Sequence, residues 1–344
     1  MIRRKSAFFV LVMALLPVRV AGQGTTLDRY KEDVSKWDWA GRHVSLIFEG
    51  DPKPLTEVSG GLWGNLECDS NGAVYVRRQQ VRASDFQSPI LRLSPSDPTV
   101  TFFVPRSEFE GEVYGFAFTV DVGGKVFELV RAGKADRVFL VEFSKDGQFQ
   151  KKTEIESNIR PVSIAALPSD RLLVRGIEET ADRSQGKSVT AIFRSDGKLL
   201  TRFASANNAT KEDIAAIELG DARVGDDQNI YALHSASPPV VTVYDLSGHR
   251  LREMRLRPPF SNAHSSGIYP SSYRMIVSYQ QATGPKEAPR GLPVFSVYNA
   301  ETGELLTSYV QESRGIVACV VQNEATILTT TSDKHFAILR VKFP

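Results

Sequence analysis

The 344-residue sequence predicts an all-β fold, a six-bladed β-propeller with four antiparallel strands per blade. Three observations predict it. A pattern of four short strands, first met over residues 61–104, returns about every 50 residues. Gly147, Gly197, Gly248 and Gly303 mark one turn of that pattern at spacings of 50, 51 and 55, the regularity of a repeat architecture. The last repeat holds only three strands, and a lone strand near the N-terminus supplies a fourth, so the ring closes without a long open sheet edge.

The first repeat sets the pattern. Residues 65–68 and 73–77 are short runs rich in apolar and β-branched side chains, joined by Asp69-Ser-Asn-Gly72. Gly72 can take positive φ and the Asp side chain can close the turn on its own backbone, so the pair reads as a hairpin. ILRLS at 90–94 alternates with period two, and 99–104 follows the Ser-Pro-Ser-Asp-Pro turn as strand four. The second repeat, 114–156, copies this as YGFAFTV, KVFELV, DRVFLVEF and QFQKKTEIE. The third carries PVSIAAL, RLLVRG, SVTAIF and KLLTRFA, and the fourth DARV, NIYALH, VVTVYD and HRLREMRL. The fifth has a weak first strand, GIYP, and the sixth ends after GIVACVV, TILTTT and FAILRVKF. Residues 43–49, HVSLIFE, are the expected fourth strand of that last blade.

Three segments follow. Residues 1–22 read as a secretory signal peptide: Arg3, Arg4 and Lys5 precede an apolar run at 7–16, Pro17 ends it, and Val20, Ala21 and Gly22 offer a cleavage point. Ten apolar residues are too few to cross a bilayer, which needs about 20. A periplasmic or extracellular location is therefore expected. Residues 23–42 form an N-terminal arm that Trp37 and Trp39 are expected to pin to the domain, and 43–344 form the propeller.

Charge and cysteine usage narrow the partners. Residues 1–22 carry Arg3, Arg4, Lys5 and Arg19 and no acid, so the rest of the chain has 38 Lys and Arg against 40 Asp and Glu, a net of −2. That balance lacks the basic excess of a nucleic-acid surface. A protein or glycan partner remains open, and a monomer without a transmembrane span is expected. Cys68 and Cys319 fall in corresponding first strands of the first and last repeats. A ring-closing disulfide and two buried free thiols are both open readings.

The Gly64-Asn-Leu-Glu-Cys-Asp69 and Asn71-Gly72-Ala-Val-Tyr75-Val76 segments, followed by Ile90 to Leu93, resemble an NHL repeat, and the second repeat keeps Asp121, Gly124 and Phe127. Over 43–344 the chain is similar in architecture to the exported bacterial six-bladed propellers of the NHL-repeat and TolB-like group. The resemblance implies the fold alone, because propellers host many unrelated functions.

Function then rests on placement. Tight turns after strands one and three share one face of the disc, and the longer connections at 78–88, 106–112, 177–187, 205–221, 258–266 and 281–291 share the other. Irregular loops on a rigid scaffold concentrate binding residues. Arg77, Arg78, Arg131, Arg175, His234 and Tyr279 leave the second strands toward that face and form the candidate ligand-binding set, with guanidinium forks suited to an anionic or sugar-like ligand. The competing reading makes most of these residues solvated loop ends or pairs them with acids such as Glu67, Asp85 or Glu178. No cofactor is expected, with a divalent cation the one the channel could hold. Lactonases of the gluconolactonase type bind such an ion with carboxylate and amide oxygens, and Asn65, Glu67, Asp221 and His264 are the matching candidates here. The sequence contains no G-x-S-x-G elbow, H-E-x-x-H or P-loop, so no catalytic residue is assigned. The leading expectation is a non-enzymatic binding or scaffolding propeller using the irregular-loop face and channel mouth. The alternative is a metal-dependent hydrolase or lactonase at that mouth.

Overall fold

A computed structural model describes residues 37–46, 53–54, 62–78, 88–94, 96–133, 137–155, 157–178, 188–204, 221–271, 273–281, 293–311, 315–321, 324–330 and 336–343. The expected signal peptide, the arm before Trp37 and much of the irregular-loop face lie outside the described residues.

Two strands come first, β1 (His43–Leu46) and β2 (Lys53–Pro54). Blade one is β3 (Leu62–Cys68), β4 (Val74–Arg78), β5 (Ile90–Leu93) and β6 (Val100–Phe102). Blade two is β7 (Val113–Val120), β8 (Val126–Ala132), β9 (Arg137–Phe143) and β10 (Phe149–Glu154), and blade three is β11 (Ile159–Leu167), β12 (Arg171–Glu178), β13 (Ser188–Arg194) and β14 (Leu199–Ala204). Blade four is β15 (Ala222–Val224), β16 (Ile230–His234), β17 (Val240–Tyr244) and β18 (Arg250–Arg255). Blade five is β19 (Ala263–Pro270), β20 (Arg274–Gln281), β21 (Val294–Asn299) and β22 (Leu305–Gln311), and β23 (Ile316–Val321), β24 (Glu324–Thr330) and β25 (Phe336–Lys342) begin blade six. The first strand of each blade packs against the first strands of its neighbours, so these six strands line the central channel.

The core is divided into six clusters, one at each junction between neighbouring blades. Val74, Val76, Leu91 and Leu93 of blade one meet Ala318, Leu328 and Ile338 of blade six, which makes the sixth junction and closes the ring. Each blade is thus covered on both faces. Its middle strands are buried almost without alternation, as in β8 and β13, whereas outer strand β10 is largely exposed.

Closure differs from the expectation in which strand performs it. An N-terminal strand does complete the last blade, but it is β2, whose Lys53 and Pro54 pair antiparallel with Ile338 and Ala337 of β25. The strand at 43–46 instead adds to the outer edge of blade five, parallel to β22 from His43 opposite Ser308 to Leu46 opposite Gln311. The cause is the aromatic anchor. Trp37 and Trp39 stack at 5.5 Å, Trp37 lies 4.7 Å from the Phe260 ring, and Ala40 N–H donates to the Pro259 carbonyl. The arm is pinned beside the junction of blades four and five, so the first extended residues after it meet blade five.

The periodic glycines have two jobs. Gly147, Gly197, Gly248 and Gly303 all have φ between 74° and 90°, the left-handed residue that closes a three-residue hairpin loop at the first three and a four-residue loop at Gly303. Each also presses on the outer strand of the preceding blade: a Cβ on Gly197 would sit 2.7 Å from the Glu154 carbonyl oxygen, and one on Gly147 2.6 Å from that of Thr101. In the fourth blade Gln228 takes the positive φ after Gly225, and Ser169 and Asp170 do so in the third.

Candidate functional site in the channel

Counting back from the first turn of each blade finds the channel's charged layer. Glu67 stands two residues before the Asp69 turn and Arg223 two residues before the Gly225 turn, both on first strands. Blades one and four are opposite one another in a ring of six. The Arg223 guanidinium nevertheless hydrogen-bonds the Glu67 carboxylate directly, so this ion pair crosses the channel. Arg223 Nε also donates to Asp221 Oδ2 at 3.2 Å, and the same oxygen accepts the Ile268 N–H at 3.3 Å. Asp221 Oδ1 accepts the Ala222 N–H at 2.8 Å.

Burial dominates the electrostatics. Glu67 is 4% exposed, and loss of hydration raises its carboxyl pKa, with Arg223 opposing the shift. The Tyr269 phenol, beside the same charges, is also pushed up by burial and stays neutral. Arg175 is 1% exposed and donates to the carbonyls of Asp221 at 3.2 Å and Leu233 at 3.4 Å. Burial lowers its pKa to about 10, opposed by Asp221.

Of the four candidate metal ligands, the structure brings Glu67 and Asp221 to one place, with the arginine cation between them. His264 is exposed on β19, paired in register with Gln280. Asn65 lies in β3, and its side chain is outside the described residues. Among the described residues no group of three or more His, Cys, Asp or Glu is placed to hold a metal ion.

The candidate ligand-binding set is spread over several blade junctions. Arg77 is buried between blades one and two, where it pairs with Glu128 at 2.7 Å and donates to the Ser88 carbonyl at 2.9 Å. Burial raises the Glu128 carboxyl pKa, again against its arginine. Arg131 lies over the Phe116 ring at 5.2 Å. His234 Nε2 is 3.4 Å from Thr242 Oγ1. Tyr279 is fully buried and its hydroxyl is 2.7 Å from that of Tyr298, which donates to the Arg257 carbonyl. Burial pushes the Tyr298 phenol up to about 12. Arg78 ends β4, with its side chain outside the described residues.

Sequence reasoning missed Arg223. Its register two residues before a turn, matching Glu67, was the available signal. The two cysteines are bridged, with Cα atoms 5.9 Å apart, and join the channel strands of blades one and six. No helix among the described residues is long and apolar enough to cross a membrane.

No described protein family and no curated protein matches the chain in sequence. Similarity appears among solved structures. A neuraminidase-like protein of A/flat-faced bat/Peru aligns with a TM-score of 0.51 at 8% identity, over 89% of this chain and 95% of that one. A TolB protein from Agrobacterium tumefaciens aligns at 0.47 and 12% identity, over 81% and 90%, and a virginiamycin B lyase from Staphylococcus aureus at 0.47 and 12%, over 87% and 100%. At such identities the likeness is one of fold. The chain is a six-bladed β-propeller.

Proposed function

We propose that the protein is an exported propeller that works by binding or scaffolding through its irregular-loop face. The observation that carries this reading is the cross-channel pair. Glu67, Arg223 and Asp221 satisfy one another, so these three charges are spent on a link between opposite blades. A hydrolase built on Glu67 would first have to move Arg223 out of that position. On the loop face, Phe103 and Tyr114 are 48% and 41% exposed and flank the charged connection through Arg106, Glu108, Glu110 and Glu112. Exposed aromatics beside charged rim residues suit a protein or glycan partner. The apolar segment at 7–16 and the Cys68–Cys319 bridge support export to an oxidising compartment. The Asp69 and Asp121 turns are the features that favour an NHL-type repeat.

The test is chemical cross-linking of the full chain in its own cells, followed by mass spectrometry, with Phe103→Ala/Tyr114→Ala as the comparison. A discrete partner captured by the native chain and lost from the double variant supports the reading. Elemental analysis of the same purified protein supplies the opposing outcome: one divalent ion per chain, lost with Glu67→Ala, would replace it with the metal-dependent hydrolase.

A further inference from the structure

A cleft of about 170 Å³ opens between blades one and two on the tight-turn face, opposite the irregular loops. One water needs roughly 10–15 Å³, so the space admits a small organic molecule. Its walls are charged and balanced: Arg92 and Lys145 supply two cations, and Asp69 and Asp146 two anions.

These groups are not equally available. Asp69 is committed to its turn, with Oδ1 accepting the N–H groups of Asn71 at 2.9 Å and Ala73 at 3.1 Å and Oδ2 accepting the Tyr75 hydroxyl at 3.1 Å. Arg92 Nε lies 3.9 Å from Asp69 Oδ2, beyond hydrogen-bond reach, and is a buried donor with no acceptor among the described residues. A buried N–H left open calls for a group that the protein itself does not provide. Tyr75 uses its proton on Asp69 and is itself fully buried, so it backs the cleft without being offered to a ligand. Lys145 and Asp146 are exposed at the tip of the blade-two turn and close the cleft's open side. Gly124 leaves the floor open: a Cβ there would lie 3.2 Å from the Tyr75 hydroxyl.

An anion alone would meet Asp146 and Asp69, and a cation alone would meet Arg92 and Lys145. A molecule carrying both charges satisfies each pair. We propose that this cleft binds a small zwitterion, a free α-amino acid, with its carboxylate on Arg92 Nε–H and Lys145 and its ammonium on Asp146. This site is independent of the loop-face reading.

Calorimetric titration of the protein with glycine tests it, with acetate and methylammonium titrated separately as the two half-ligands. Lys145→Ala and Asp146→Asn change exposed side chains, and their unfolding midpoints verify that the fold is kept. Glycine binding that weakens about tenfold or more in each variant, and that neither half-ligand matches, is the expected result. The proposal is overturned by no glycine binding up to tens of millimolar, by equal affinity for acetate, or by affinity unchanged in both variants.

Discussion

At the scale of single residues, the interior carries charges that are costly apart and tolerable together. Arg223→Met would leave the buried Glu67 carboxylate and Asp221 without their cation. The expected loss is about 3 kcal/mol, the low end for a broken buried pair because Arg223 is itself a quarter exposed. Adding Glu67→Gln should recover more than half of that loss in denaturant titrations; a strictly additive double variant would mean the two do not interact. Glu128 gives a pH signature. Its pKa is raised above the ordinary 4.5 by burial, so its stabilising contribution is fully present below that value and is lost as pH rises through the higher folded value. Glu128→Gln does not titrate. Its deficit relative to the native chain should therefore narrow between pH 4 and pH 7 in thermal melts, and a widening deficit would show that Arg77 outweighs burial.

At the scale of elements, the turn glycines explain why the repeat is visible at all. Gly197 has φ of 80°, and a Cβ there would clash with the Glu154 carbonyl oxygen of the blade before. Gly197→Ala should cost about 1–3 kcal/mol for the backbone conformation, with the clash adding to it. Glu154→Ala would leave that backbone oxygen in place, so it should not rescue the variant. The Asp69 and Asp121 turns use the same left-handed glycine, at Gly72 and Gly124, and add a carboxylate that accepts the backbone N–H groups two and four residues on, as Asp245 does in the Gly248 turn.

At the scale of the whole molecule, the ring is fastened twice. The backbone fastening is short: β2 offers two described residues to β25, and Pro54 has no N–H to donate. The Cys68–Cys319 bridge spans 251 residues and ties the innermost strands of the same two blades. Replacing both cysteines by serine should lower stability by about 2–5 kcal/mol, with amide exchange rising first at β3 and β23. Uniform exchange over all six blades would show that β2 and the blade-one to blade-six core suffice. The sequence by itself determined the all-β class, the six blades and their turns, because hydrophobic runs, turn residues and their spacing are local and repeat. It located Glu67 and Asp221 as channel residues but not what neutralises them. Only the tertiary structure decided that Arg223 reaches Glu67 from the opposite blade, that Cys68 and Cys319 are joined, and that β1 joins blade five while β2 closes blade six. Those outcomes depend on which residues meet when the ring shuts, and contacts across more than a hundred residues of chain leave no periodicity to read.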